Sequence, residues 1–240
     1  MDIDKNLRIS TMTLISGIDS NIDLSKLYEN LEITDKIRYI EFGTNPTKGN
    51  LIQKIKKPRK IKEKKFFYNQ ITLHVLKDKI VNVKIFNNGR IQMTGLKTEG
   101  QGIDIVHILI DYIRQIPSDK KQTILDNMNP TIKESQIVLI NSDFDAKFKI
   151  NREVLHRLII SMGYYSSYEP TIYPGVNIKY YFNTNNDNGI CKCEGRCNGK
   201  GKGCCKKITI AVFNSGKIII TGGQSYSHLN TAYQFIKNVI

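Results

Sequence analysis

The sequence carries almost none of the marks of membrane, secreted or catalytic proteins. No apolar run reaches the roughly 20 residues needed to cross a bilayer. The opening Met1-Asp2-Ile3-Asp4-Lys5 lacks the basic, then apolar, pattern of a secretory signal. The protein is therefore expected to be intracellular, and its basic clusters leave a nuclear address open. There is no Gly-rich phosphate loop and no nucleophile elbow. The four histidines (His74, His107, His156, His228) are scattered without a repeated metal spacing. Enzyme chemistry is not expected. Cysteine is absent before Cys191, and all five cysteines fall between Cys191 and Cys205. An odd count in an intracellular chain argues against a disulfide framework. Acidic residues are few: 22 Asp and Glu stand against 36 Lys and Arg, a net charge of +14. That excess favours a polyanionic partner, nucleic acid first. The plainer alternative is a lineage that uses much Lys, Asn and Ile.

What the chain does contain, it contains twice. Phe86-Asn87-Asn88-Gly89-Arg90 runs on to Thr94-Gly95, and Phe213-Asn214-Ser215-Gly216-Lys217 runs on to Thr221-Gly222. An Asn-Gly or Ser-Gly pair between apolar runs is a hairpin signal, because both residue types tolerate positive φ. An apolar helix follows each hairpin. Each is preceded by a strand, Arg8–Thr13 or Gln136–Ile140, and then by an amphipathic helix. Repetition at this scale decides the architecture. The expected organisation is two repeats, 1–118 and 131–240, each reading strand, helix, several strands, helix, and joined through Pro117–Thr131.

The helix faces follow from spacing. Asp23 caps a helix with Leu24, Leu27, Tyr28 and Leu31 inward. Asn151 caps one with Val154, Leu155, Leu158 and Ile159 inward. Ile103–Ile116 is apolar nearly all round and is expected to be largely buried. Leu229, Ala232, Tyr233, Ile236 and Ile240 mark the core side of the last helix.

Two insertions interrupt the plan. In residues 44–65 nine bases (Lys48, Lys54, Lys56, Lys57, Arg59, Lys60, Lys62, Lys64, Lys65) face one acid, Glu63. Such a run repels itself. It reads as a mobile arm for phosphates or as a solvated loop. Residues 183–207 hold Cys191, Cys193, Cys197, Cys204 and Cys205. Four thiolates close a tetrahedral zinc site, and so Gly-rich an insert needs something to order it. The spacing lacks paired Cys-x-x-Cys motifs, so free thiols are the alternative.

The strands Ile208–Thr221 are apolar on both faces. One face carries Ile210, Val212, Ile218 and Ile220, the other Ala211, Phe213, Ile219 and Thr221. The helices supply cover for one. The other is either buried under a second sheet or free as an interaction surface. An apolar sheet with a basic rim suits the minor groove, where the polar code is sparse and apolar wedges enter base steps.

The two hairpins, together with Ser166-Ser167-Tyr168-Glu169-Pro170-Thr171-Ile172-Tyr173-Pro174-Gly175, resemble the signatures of the TATA-box-binding protein family. Ile9-Ser10-Thr11 and Ile22–Leu27 resemble its opening strand and first helix. The likeness spans about 7–116 and 134–240 apart from the insertions, and the divergence is similar to that of versions from large DNA viruses. It implies an α+β saddle: one curved antiparallel sheet of about ten strands, with helices on the convex side. It implies a transcription initiation factor that binds and bends A·T-rich DNA through the minor groove, as a monomer and without a cofactor.

The resemblance also assigns roles. Tyr173 and Phe213, with Pro174 beside them, match one wedging pair. Phe86 with Tyr68 or Phe67 matches the other. Thr94 and Thr221 would meet bases near the centre. Ile9, Val138 and Ile219 would make apolar contact, with Thr11 and Ala211 on the same surface. Arg90, Lys217 and Lys179 would meet phosphates. At the family's two base-bonding Asn positions stand Leu7 and Gln136, and Lys84 and Gln92 replace apolar residues. The first half is thus more polar than the family pattern, which points to a relaxed or shifted sequence preference. Glu169, Thr171 and Ile172 match the contact region for a factor-IIB-type partner and, through it, RNA polymerase, with Thr171 replacing an acid. The competing expectation is an interaction adaptor that has lost sequence-specific DNA binding.

Overall fold

A computed structural model describes residues 2–50, 66–185, 188–195, 197 and 203–240. The greater part of the basic insertion, residues 51–65 from Lys54 to Lys65, lies outside the described residues. The fold is α+β, with antiparallel strands and helices, as the resemblance implies. Eleven strands and five helices occur among the described residues.

The chain divides into two compact units, Thr13–Gln136 and Met1–Met12 with Ile137–Ile240. The first unit contains Thr13–Ile18 of β1 (Arg8–Ile18), helix α1 (Leu24–Asn30), β2 (Ile37–Glu41), β3 (Lys48–Gly49), β4 (Gln70–Leu76), β5 (Ile80–Phe86), β6 (Arg90–Leu96), α2 (Glu99–Gln115) and α3 (Ser118–Ile124). Its strands hydrogen-bond in the order β3-β2-β4-β5-β6-β1. The second unit contains the remainder of β1, most of β7 (Ile132–Asp145), α4 (Arg152–Ser161), β8 (Tyr165–Ser167), β9 (Val176–Phe182), β10 (Lys206–Val212), β11 (Lys217–Gly223) and α5 (Tyr226–Val239). Here the order is β7-β11-β10-β9-β8.

Local chemistry sets the helix starts. The Asp23 carboxylate accepts from Lys26 N at 3.0 Å. Thr98 and Gln101 form a reciprocal capping box at α2. Asn151 accepts from the amides of Glu153 and Val154, and Ser225 accepts from His228 N. At the other end of α1, Lys48 Nζ donates to the carbonyl oxygens of Tyr28 and Leu31, each at 2.7 Å. A cation there satisfies orphan carbonyls and meets the negative end of the helix dipole. Lys48 is thus a helix cap and no part of a solvated run.

Two further expectations are corrected. Helix α2 is not buried all round: Ile105, Val106, Leu109, Ile110 and Ile113 form its core stripe, while Ile103 is 38% exposed. On α4 only Leu155 and Ile159 are buried, and Val154 and Leu158 point to solvent. Packing against the edge strand β8 and its neighbour β9 accommodates a stripe one residue wide per turn. The joint after Pro117 holds α3, which packs on α1 and buries Ile124.

Candidate nucleic-acid interface and cysteine cluster

In each unit the helices cover one face of the sheet. Alternation sorts the side chains. In the second unit Ile178, Ile208, Ile210, Val212, Ile218 and Ile220 lie under α4 and α5 and are buried. The opposite face sets Lys179 beside Thr209 and Thr209 beside Thr221. It also sets Ile219 between Ala211 and Asp143. Ile219 is 37% exposed, so no second sheet buries it. In the first unit the corresponding rungs are Thr72, Lys84 and Gln92, then His74, Asn82 and Thr94.

The hairpins that turn these strands need their glycines. Gly89 has φ +75° and Gly216 φ +85°. A Cβ would come within 2.3 Å of Ser20 O at the first and 2.2 Å of Phe148 O at the second. Both positions therefore exclude any side chain on two grounds.

Next to the second hairpin, the rings of Tyr173 and Phe213 meet edge to face, with centroids 5.8 Å apart at 62°. Gly175 makes room for them: a Cβ there would stand 2.9 Å from the Tyr173 ring and 3.2 Å from Phe213. Arg152 donates to Pro174 O at 2.5 Å and fixes the loop behind the pair. In the first unit the strand registers identify the counterpart of Tyr173. Val176 pairs with Val212, and Ile71 pairs with Ile85, each one residue before a hairpin Phe. Counting back three residues from Val176 and Ile71 equates Tyr173 with Tyr68. Tyr68 is 62% exposed and lies over Gly43, where a Cβ would come within 2.6 Å of its ring. Phe67, 54% exposed, lies under Lys84 Nζ at 6.0 Å from its ring centroid.

The other assigned residues fall as follows. Arg90 and Lys217 are exposed beside their hairpin glycines. Lys179 donates to Thr209 Oγ1 at 2.9 Å, and burial together with nearby Lys207 lowers its pKa. Thr94 is 3.4 Å from Thr13 Oγ1, and Thr221 donates to Asn141 Oδ1. Ile9 and Thr11 are half-buried. Leu7 and Ala211 are 6% and 5% exposed, so neither side chain stands free on the surface.

On β7, Ile140 and Ser142 are fully buried on the helix side. Val138 and, two residues before it, Gln136 share their parity, whereas Leu139, Asn141 and Asp143 have the parity of the open face. The turn hydrogen bonds agree. Ile18 N donates to Gly89 O as Ala146 N does to Gly216 O. These make Ile137 and Leu139 the counterparts of Ile9 and Thr11.

The residue that sequence reasoning passed over is Asp143. Its carboxylate sits on the open face beside Ile219 and accepts from Arg8 at 2.7 Å and from Ser10 Oγ at 2.5 Å. Its strand parity was the available signal.

The loop assigned to a protein partner is self-braced. Thr171 Oγ1 donates to the Glu169 carboxylate at 2.7 Å, and the amides of Ile172 and Tyr173 donate to Glu169 O. Ile172 is left 84% exposed.

The cysteines converge. The sulfurs of Cys191, Cys193, Cys197 and Cys205 all lie within 4.8 Å of one another, and this group could hold a metal ion. Cys204 is exposed and outside that set, although its sulfur is 3.5 Å from Cys193 and accepts from Asn183 Nδ2 at 3.2 Å. Hydrogen bonds from Cys204 N–H and the neighbouring thiols bring Cys193 down to about 6, while burial pushes Cys205 up to about 12.

The fold and these faces define the class: a TBP-type α+β protein. The solved structure of Methanococcus jannaschii TBP superimposes with a TM-score of 0.59, at 19% identity, over 98% of this chain and 97% of that one. Residues 135–240 match the family model described as transcription factor TFIID (or TATA-binding protein, TBP). A TATA-box-binding protein-like protein of Acanthamoeba polyphaga mimivirus is 30% identical over 99% of this chain. The chain spans 65% of that relative's length. TATA-box-binding protein 3 of Methanosarcina acetivorans is 26% identical over 71% of this chain and 76% of its own. The chain is thus TBP-like, similar in fold to a solved TBP and in sequence to a viral TATA-box-binding protein-like protein. Among the described residues no helix is long and apolar enough to cross a membrane.

Proposed function

We propose that this protein is a transcription initiation factor that binds A·T-rich promoter DNA in the minor groove and bends it. The observation that carries this reading is the Tyr173–Phe213 pair. Two solvent-reached aromatic rings, braced by Gly175 and Arg152, stand at the end of an open sheet face bearing Ile219 and Thr221. Rings so placed act as wedges between base steps, and the unstacking they cause is offset by the added contact of bent DNA. Phe86 and Tyr68 take the same part in the first unit. Arg90 and Lys217 meet phosphates, and the net charge of +14 supplies the salt-dependent share of affinity. Glu169, Thr171 and Ile172 receive a factor-IIB-type partner that brings in the polymerase.

An end-labelled energy-transfer assay tests this on three short duplexes: a TATA element, a shuffled A·T-rich sequence and a G·C-rich one. Bending of the first, or of both A·T-rich duplexes, is expected. Salt-sensitive, sequence-blind binding without a bend would overturn the mechanism.

A second reading, an adaptor without sequence-specific DNA binding, draws on the exposed apolar residues Val154, Leu158, Ile160 and Ile172. An adaptor tolerates loss of Phe213 and Tyr173, and a DNA binder does not.

A further inference from the structure

We propose that Cys191, Cys193, Cys197 and Cys205 bind one zinc ion as a structural tetrathiolate, and that Cys204 is not a ligand. The proposal is independent of DNA binding. It begins with the distances. Cys191 and Cys197 sulfurs are 3.4 Å apart and those of Cys193 and Cys205 are 3.5 Å apart. All four are within 4.8 Å of each other. A disulfide needs about 2.05 Å between its sulfurs. A tetrahedral zinc with Zn–S bonds of about 2.3 Å places its sulfurs about 3.8 Å apart, inside the observed span. Soft thiolates in a tetrahedron select zinc among common divalent ions.

The surroundings explain why a metal is needed there. The insertion leaves the sheet after β9 and rejoins it at β10. It has almost no apolar residues to bury, so packing alone cannot offset the entropy of ordering it. Its first limb is pinned by two hydrogen bonds. Tyr181 N donates to Gly189 O at 2.9 Å, and the Tyr164 hydroxyl donates to Asn188 O at 2.6 Å. Gly189 lies flat on the Tyr180 ring, where a Cβ would be 2.1 Å from ring carbon. Cys191 and Cys193 follow directly. Cys205 is buried at the root of β10. A single ion therefore ties the pinned limb to the strand that closes the insertion.

Binding passes the protons of whichever thiols still carry one to solvent and leaves a zinc tetrathiolate of charge −2. Lys179 and Lys207, which line the adjoining cavity with Cys191 and Cys197, balance it. The site lies at the end of the β9–β10 pair opposite Tyr173 and Phe213. The metal thus holds the edge of the sheet and leaves the aromatic pair untouched.

The test is metal analysis of the full-length chain purified without chelator, with cobalt exchange as a second readout. One zinc per chain is expected. Cobalt should give the charge-transfer and visible bands of a tetrahedral four-thiolate site. Cys204→Ser should keep the zinc and the cobalt spectrum unchanged. Cys193→Ser and Cys205→Ser should each lower zinc occupancy at least tenfold. If those two fail to fold, Cys204→Ser and the wild-type cobalt spectrum still decide. Absence of zinc, a disulfide in the freshly purified chain, iron in place of zinc, a cobalt spectrum of fewer thiolates, or zinc loss in Cys204→Ser would each overturn the proposal.

Discussion

The two open faces are built on one register and carry opposite chemistry. Where the second unit has Ala211 and Ile219, the first has Lys84 and Gln92, and where the second has Thr209 the first has Asn82. Only Thr94 and Thr221 agree. The helix-covered faces show no such split, for Val81, Val83, Ile85, Ile91 and Met93 match Ile208, Ile210, Val212, Ile218 and Ile220 in being buried and apolar. The difference teaches that the core constrains both repeats alike. The open faces are free to diverge, because no helix packs on them to hold their side chains to one shape. The match of residues 135–240 alone to the family model follows the same line.

The largest effect should separate the two halves. Phe213→Ala removes one member of a braced ring pair and costs about 2 kcal/mol of DNA affinity, roughly thirtyfold, with loss of the bend. Phe86→Ala in the more polar half should cost less. Energy-transfer titration of both variants on one A·T-rich duplex checks the ranking. Equal losses would break the comparison.

A smaller effect should come from making the halves alike. Lys84→Leu with Gln92→Val gives the first unit the apolar surface of the second. This variant should sharpen discrimination between A·T-rich and G·C-rich duplexes by about 1 kcal/mol, a factor of roughly five. It should also flatten the salt dependence by the share of one phosphate contact, because the Lys84 charge is gone. Competition binding at two salt concentrations reads both quantities.

Asp143 is the exception within the family-like half. A carboxylate on a face proposed for DNA repels phosphate, and its pairing with Arg8 only partly cancels it, since the Arg8 side chain is 76% exposed. Asp143→Asn keeps the size and an acceptor for Ser10 and removes the charge. Affinity should rise about threefold at low salt, with the gain fading as salt rises. An unchanged or weaker affinity would give Asp143 a different task, such as orienting Arg8 and Ser10.

Much of this frame was legible in the sequence. The two hairpins announce themselves because Gly89 and Gly216 admit no side chain. The caps Asp23 and Asn151 were readable because a short polar acceptor before an apolar run has few other uses. The faces of long elements were harder. On α4, Val154-Leu155 and Leu158-Ile159 offer two adjacent stripes, and only the width of the supporting edge decides which one is buried. On β7 a shift of one residue moves every side chain to the other face, so Gln136 and Val138 are separated from Leu139 and Asn141 by a choice that spacing alone does not make. The Lys48 cap lay hidden within a charge run. The cysteine cluster was visible as a composition, while its four-plus-one division depends on how the insertion folds back on Tyr180 and Tyr181.

The smallest predicted effect extends the comparison to acid stability. Each unit holds one histidine whose pKa burial lowers below the usual 6.5: His74 in the first unit and His228 in the second. A lowered imidazole pKa means that the folded state takes up its proton later than the unfolded chain. The stability involved is therefore present above the unfolded value and is lost as pH falls below it. The two sites differ in their neighbours. Glu41 acts against the shift at His74, whereas Lys206 adds to it at His228. In addition, His228 Nδ1 accepts from Gln224 N at 3.1 Å, a bond that protonation of that nitrogen destroys. His228→Gln should therefore remove more of the acid-side loss than His74→Gln. Urea midpoints measured between pH ~7.5 and ~5.5 compare the two slopes. The reverse order would mean that His74, whose Nδ1 is buried without a partner, governs acid sensitivity through its desolvation alone.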